Sequence, residues 1–132
     1  MPTRLAKSIE REPVTILATG SDIIEAPFGG SVVEVTYTPI ANVTGAASPS
    51  SRTVSLINHG QDGSGTTVVA SLALLSGVNL VAFDEKTITL SVVANATTVV
   101  AGDQLEWKSI AVGGTGLVDP GGTVNILFER TN

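Results

Sequence analysis

The chain has one histidine, His59, in the segment Asn58-His59-Gly60-Gln61-Asp62-Gly63-Ser64-Gly65, where an imidazole, a carboxylate and a hydroxyl lie close together. A hydrolytic triad needs a nucleophile activated by the imidazole and an acid that orients the imidazole in turn. Nothing around Ser64 marks it as lying on the strained elbow that presents such a nucleophile. The segment reads as a glycine-rich loop. Asn58, Asp62 and Ser64 also offer oxygen ligands, but their spacing lacks the D-x-[DN]-x-[DN]-G pattern of a calcium loop and its closing glutamate. A polar hairpin tip accounts for the same residues. One histidine and no cysteine fall short of a zinc ligand set.

Paired carboxylates are the next chemistry to test. Asp84 and Glu85 are adjacent, and neighbours on a strand point to opposite faces. Glu34 and Glu106 lie mid-strand and share a face only if their strands are neighbours, so both read as solvated surface positions. Gly113-Gly114-Thr115-Gly116 lacks the Gly-Lys-Ser/Thr ending and following helix of a phosphate loop. Trp107, between Glu106 and Lys108, reads as a core anchor and not as a sugar-stacking platform. Asn42-Val43-Thr44 and Asn95-Ala96-Thr97 match the glycosylation acceptor pattern, which carries weight only with a secretory route. The reading is therefore a non-enzyme, with no catalytic residue, no metal and no cofactor.

The elements that position these residues follow from composition and period. At 132 residues the chain is the size of one domain with one core. Hydrophobic residues make up 42% of it but aromatics only 4%, so the core is built from Val, Ile, Leu and Ala, which favours strands. A net charge of −5 over few charged residues argues against nucleic acid, which demands clustered Lys and Arg. No apolar run approaches the roughly twenty residues of a membrane helix, and no signal-peptide stretch follows the start.

From Val14 onward the chain is a series of period-two segments closed by Gly, Pro, Asn or Asp. In residues 31–38, Val33, Val35 and Tyr37 fall on one face and Glu34, Thr36 and Thr38 on the other. Residues 52–58 and 87–92 alternate likewise, with Ile88, Leu90 and Val92 sharing a face in the second. Residues 66–75 are apolar on both faces and read as a central strand or, less well, a short buried helix. Residues 78–83 read as a further strand after Gly77. Leu105 and Trp107 oppose Glu106 and Lys108, and Val124, Ile126 and Phe128 repeat the alternation, so these last two strands are expected to pair. Between them, Asp119-Pro120-Gly121-Gly122 forms a turn. Residues 44–51 read as a long exposed loop. The sum is an all-β, jelly-roll-like or Greek-key β-sandwich of roughly eight or nine strands.

Residues 1–12 form an N-terminal arm ahead of a single domain at 13–132. Arg4, Lys7 and Arg11 give it three of the seven positive charges, and Leu5 and Ile9 make it partly apolar. These five residues are the candidate partner-binding arm, suited to dock on an acidic or polar surface and to order on contact.

The entry Ala101-Gly102-Asp103-Gln104-Leu105, the loop Gly114-Thr115-Gly116 and the return Asp119-Pro120-Gly121-Gly122-Thr123-Val124 span roughly the second half of the chain. This pattern resembles the head decoration, or cement, proteins of tailed bacteriophages. The resemblance implies a jelly-roll-like domain, often a homotrimer, seated on the outer capsid surface where subunits meet and strengthening the shell against internal DNA pressure. It implies as partners the major capsid protein and further copies of the chain, with neither nucleic acid nor membrane. The implied location is the virion, after synthesis in the host cytoplasm. Two other readings fit a non-catalytic sandwich: a tail-fibre or baseplate module that recognises a receptor, and a cellular carbohydrate-binding or adhesion domain.

Overall fold

The computed structural model describes residues 11–18, 22–112 and 116–130. They form ten strand segments and no helix: β1 (Arg11–Ala18), β2 (Asp22–Glu25), β3 (Gly30–Pro39), β4 (Arg52–Asn58), β5 (Thr67–Ala73), β6 (Lys86–Thr87), β7 (Thr89–Leu90), β8 (Thr98–Val99), β9 (Gln104–Ala111) and β10 (Gly122–Arg130). One sheet has the order β1-β10-β3-β6, with β8 also on β3; the other has β2-β9-β4-β5-β7. Every pairing is antiparallel.

The period-two pattern sets which side chains face inward. Val124, Ile126 and Phe128 of β10 and Leu105 and Trp107 of β9 are buried, as their alternation predicts. They meet Val54 and Leu56 of β4 and Val35 and Tyr37 of β3 in one core. Tyr37 and Trp107 lie 5.3 Å apart between ring centroids at 43°, an aromatic contact that joins the two sheets and is worth about 0.5–1.5 kcal/mol beyond burial.

Four expectations are corrected. β9 and β10 do not pair; they sit in different sheets and face each other across the core. Alternation specifies the buried face of a strand but not its neighbour, and the long 112–121 connection gives the chain room to cross between sheets. Residues 78–83 are not a strand. Only an isolated bridge, Val43 to Leu80, is formed there, because the segment wraps as a loop against residues 40–46. The strand expected over 87–92 divides into β6 on one sheet and β7 on the other, with fully buried Ile88 at the crossing; Val92 ends beyond it, almost wholly exposed. In β3 a bulge opposite Leu127/Phe128 skips Val33, so Val32 takes the inward place with Val35 and Tyr37. Thr36, on the outer face, is buried as well, between Thr87 of β6 and Asn125 of β10. At residues 66–75 a strand forms, not a helix, and its own bulge carries Val69 and Ala70 inward together.

The strand ends define two poles. At the apex β3 ends at Pro39, β10 begins opposite it at Gly122, and Arg52, Ala73 and Ala111 mark the ends of β4, β5 and β9. At the base lie the β4–β5 loop, the β2–β3 turn, residues 91–103, and the Arg11 end of β1 beside Glu129.

Candidate functional site

At the apex, residues 40–46 and 74–83 run side by side. Val43 and Leu80 exchange both backbone hydrogen bonds, at 2.9 and 2.8 Å, and the Ala82 N–H donates to Asn42 Oδ1 at 2.7 Å. The Gly45 N–H donates to Asn79 Oδ1 at 2.8 Å. Gly45 is required by this close approach, since a Cβ there would strike the carbonyl oxygens of Leu75 and Val78.

Beyond the zipped segments the chain presents apolar side chains to solvent. The Ile40 N–H donates to the Gly121 carbonyl at 3.0 Å, and the Phe83 N–H donates to the Pro39 carbonyl at 2.8 Å, so three loops meet at one rim. Ile40 is 58% exposed, Val81 53%, Phe83 78% and, on the third loop, Val118 81%. Phe83 also holds a left-handed backbone, φ 60°. A bulky residue in that region costs about 1–2 kcal/mol, and such strained conformations concentrate at functional sites.

The 116–121 segment is latched from below. The Tyr37 hydroxyl donates to Asp119 Oδ1 at 2.6 Å, and the same oxygen accepts the Gly121 N–H at 2.9 Å. Arg52 donates through Nε to the Leu117 carbonyl and through one terminal nitrogen to the Ser109 carbonyl at 2.9 Å. Burial first, and the Asp119 carboxylate second, push the Tyr37 pKa far above its ordinary value, so the hydroxyl is held as a donor.

The base carries the polar cluster. Asn58 is buried there and acts structurally: its side-chain amide donates to Asp103 Oδ2 at 3.0 Å and its oxygen accepts the Gly60 N–H at 2.8 Å. Asp103 also accepts the Val100 N–H at 2.9 Å. His59 Nε2 meets Glu106 Oε1 at 2.7 Å and Nδ1 meets the Gly65 carbonyl at 2.8 Å. Both ring nitrogens therefore face acceptors, which the imidazolium alone satisfies completely. The Glu106 hydrogen bond, then the Gly65 carbonyl, raise the His59 pKa; partial burial and Lys108 oppose them. Ser64 donates its N–H and its hydroxyl to Asp62 Oδ1, at 3.0 and 2.7 Å, which lowers the Asp62 pKa. The histidine and the hydroxyl of this loop thus each serve a different carboxylate.

Glu34 and Glu106 lie on opposite sheets and do not converge. Among the described residues no group of three or more His, Asp or Glu is placed to hold a metal ion. Of the arm residues, Arg4, Leu5, Lys7 and Ile9 lie outside the described residues. Arg11 belongs to β1, as does Glu12, so the last two residues of the expected arm are in a strand; Arg11 pairs with Glu129 at 2.8 Å.

The apolar apex escapes sequence reasoning, because Val81-Ala82-Phe83 has the look of a buried strand. Comparison with protein-family models, with curated proteins and with solved structures finds no match to this chain.

Proposed function

We propose that the chain is a non-enzymatic virion structural protein that binds the outside of a capsid and stabilises it, acting as a decoration protein and associating with further copies of itself, as a homotrimer. The observation that carries this reading is the apex: four large apolar side chains exposed on loops that backbone and side-chain hydrogen bonds hold in place. Apolar groups grouped in this way are characteristic of protein-binding surfaces, and a preformed surface loses little entropy when it docks. The strand order, with β1-β10-β3-β6 facing β2-β9-β4-β5, supports the jelly-roll form of the sandwich. Arg52 and Tyr37 anchor the apex to both sheets, which suits an element that must carry load between subunits.

The test is co-sedimentation of the purified chain with empty shells of the major capsid protein encoded in the same genome. Binding is expected to saturate, and Ile40→Asp with Phe83→Asp is expected to weaken it at least ten-fold while the melting temperature stays near that of the parent. A chain that stays in the supernatant, or a double variant that binds as the parent does, overturns the capsid reading. Saturable binding to a glycan array in its place would favour the receptor-recognition module.

A further inference from the structure

The outer face of the β2-β9-β4-β5 sheet carries a second surface near the base. Ile23 of β2, Glu106 of β9, Ile57 of β4 and Val68 of β5 are cross-strand partners in one row and point away from the core. Ile23 is 60% exposed, and Glu25, also exposed, stands beside the row. Glu25 Oε1 and the Gln61 amide both approach Gly102, which brings the Asp62 loop to the same corner. The surface is therefore apolar at Ile23, Ile57 and Val68, interrupted by Glu106, which is bonded to His59, and bounded by Glu25 and Asp62. β2 is the terminal strand of its sheet, and among the described residues no strand pairs with its outer edge.

The chain itself contains a segment of matching chemistry. Three of the seven cationic residues and one of the twelve carboxylates lie in residues 1–11, so that segment carries +2 and the remainder −7. In an extended chain Leu5, Lys7, Ile9 and Arg11 fall on one face, apolar and basic in alternation. We infer that this segment docks on the Ile23–Glu25 edge and face of a second copy of the chain, adding a strand to β2 and linking neighbouring protomers. The match is of both kinds: Leu5 and Ile9 against Ile23, and Lys7 against Glu25 and Asp62 at the same corner.

A second copy is favoured over the chain's own β2 by geometry. Arg11 is in register with Glu129 and ion-paired to it at 2.8 Å, at the base end of β1. A return to β2 of the same molecule would need a reversal immediately before that fixed residue. Continuation along the β1 axis would instead carry the segment past the base, and ten residues, if extended, would reach at most roughly 33–36 Å, enough to cross to a neighbour. Each protomer would give one segment and receive another, a head-to-tail contact that closes into a ring where the rotation between copies closes and extends into a filament where it does not. The inference rests on the self-association in the proposed function and is independent of the capsid.

The chain lacks cysteine, so pairs introduced into the full chain report contact directly. Leu5→Cys with Ile23→Cys, oxidised at micromolar concentration, is expected to give covalent dimers and closed oligomers on a non-reducing gel. Leu5→Cys with Glu34→Cys, which places the second thiol on the outer face of the other sheet, is expected to stay monomeric. In parallel, sedimentation equilibrium of the cysteine-free chain at several concentrations should show association that Lys7→Glu with Ile9→Glu weakens at least ten-fold. Mixing that variant with Glu25→Lys/Asp62→Lys should restore association. Association unchanged by the arm substitutions overturns the inference and leaves self-association standing. A parent chain that is monomeric at every concentration overturns both, and a cross-link confined within one molecule overturns the exchange between copies.

Discussion

Replacing Tyr37 by Phe removes one oxygen and leaves the ring, and so isolates the latch under the apex. The side chain is fully buried, its hydroxyl donates to Asp119 at 2.6 Å, and the ring contact with Trp107 is retained by Phe. Hydrogen bonds to a charged acceptor contribute about 1.5–3 kcal/mol, and here the orphaned carboxylate keeps only the Gly121 N–H of this pair of donors. Tyr37→Phe should therefore destabilise the domain by about 1.5–3 kcal/mol in urea titrations with an unchanged slope. Asp119→Ala should cost a similar amount, and the double variant should fall short of additivity by about 1 kcal/mol or more. The pH dependence supplies a second reading. A folded-state pKa raised above the ordinary value near 10 means that this contribution is present below about pH 10 and lost as the pH rises further. Because Tyr37 is the only tyrosine, absorbance near 295 nm should show tyrosinate only as the protein unfolds, and the alkaline loss of stability should be shallower in Tyr37→Phe. A Phe variant within about 0.5 kcal/mol of the parent, or strict additivity with Asp119→Ala, would refute the latch.

Three further outcomes are expected. The imidazole of His59 should titrate above its ordinary value in an NMR pH series and move down in Glu106→Gln; since its folded pKa is the higher one, its contribution is complete below about pH 6.5 and lost as pH rises through the folded value. Phe83→Gly should stabilise the fold by about 0.5–1 kcal/mol, the relief of a left-handed bulky residue less the added chain entropy of glycine, while weakening the capsid binding proposed above. Gly45→Ala should lower the melting temperature and speed hydrogen exchange at the Val43 and Leu80 amides, because the added methyl forces the two apex segments apart.

How much was legible depends on the type of signal. β9 and β10 were readable because five apolar residues alternate without interruption, and each lies on the buried face that its parity assigns. The irregular connection over Asp119-Pro120-Gly121 and the loop around His59 were readable from turn chemistry, although Gly122, expected in the turn, is the first residue of β10. Val33 failed because a bulge changes parity without leaving a mark in the residue pattern, and Val81 and Phe83 failed because an exposed apolar pair on a loop has the same letters as a buried strand. The partners of His59, Glu106 and Gly65, are respectively 47 and six positions away along the chain, and only the former needs the sheet to bring it near.

By itself the sequence determined that this is an all-β chain, where most strands run, and which of their faces turn inward, because side-chain parity and turn residues are local properties. Tertiary structure alone decided which strands are neighbours, that β9 and β10 face each other across the core, and that Ile40, Val81, Phe83 and Val118 come together at one pole. Those are contacts between distant segments, selected by the packing of two whole sheets around Tyr37 and Trp107, and no single segment carries the information that chooses them.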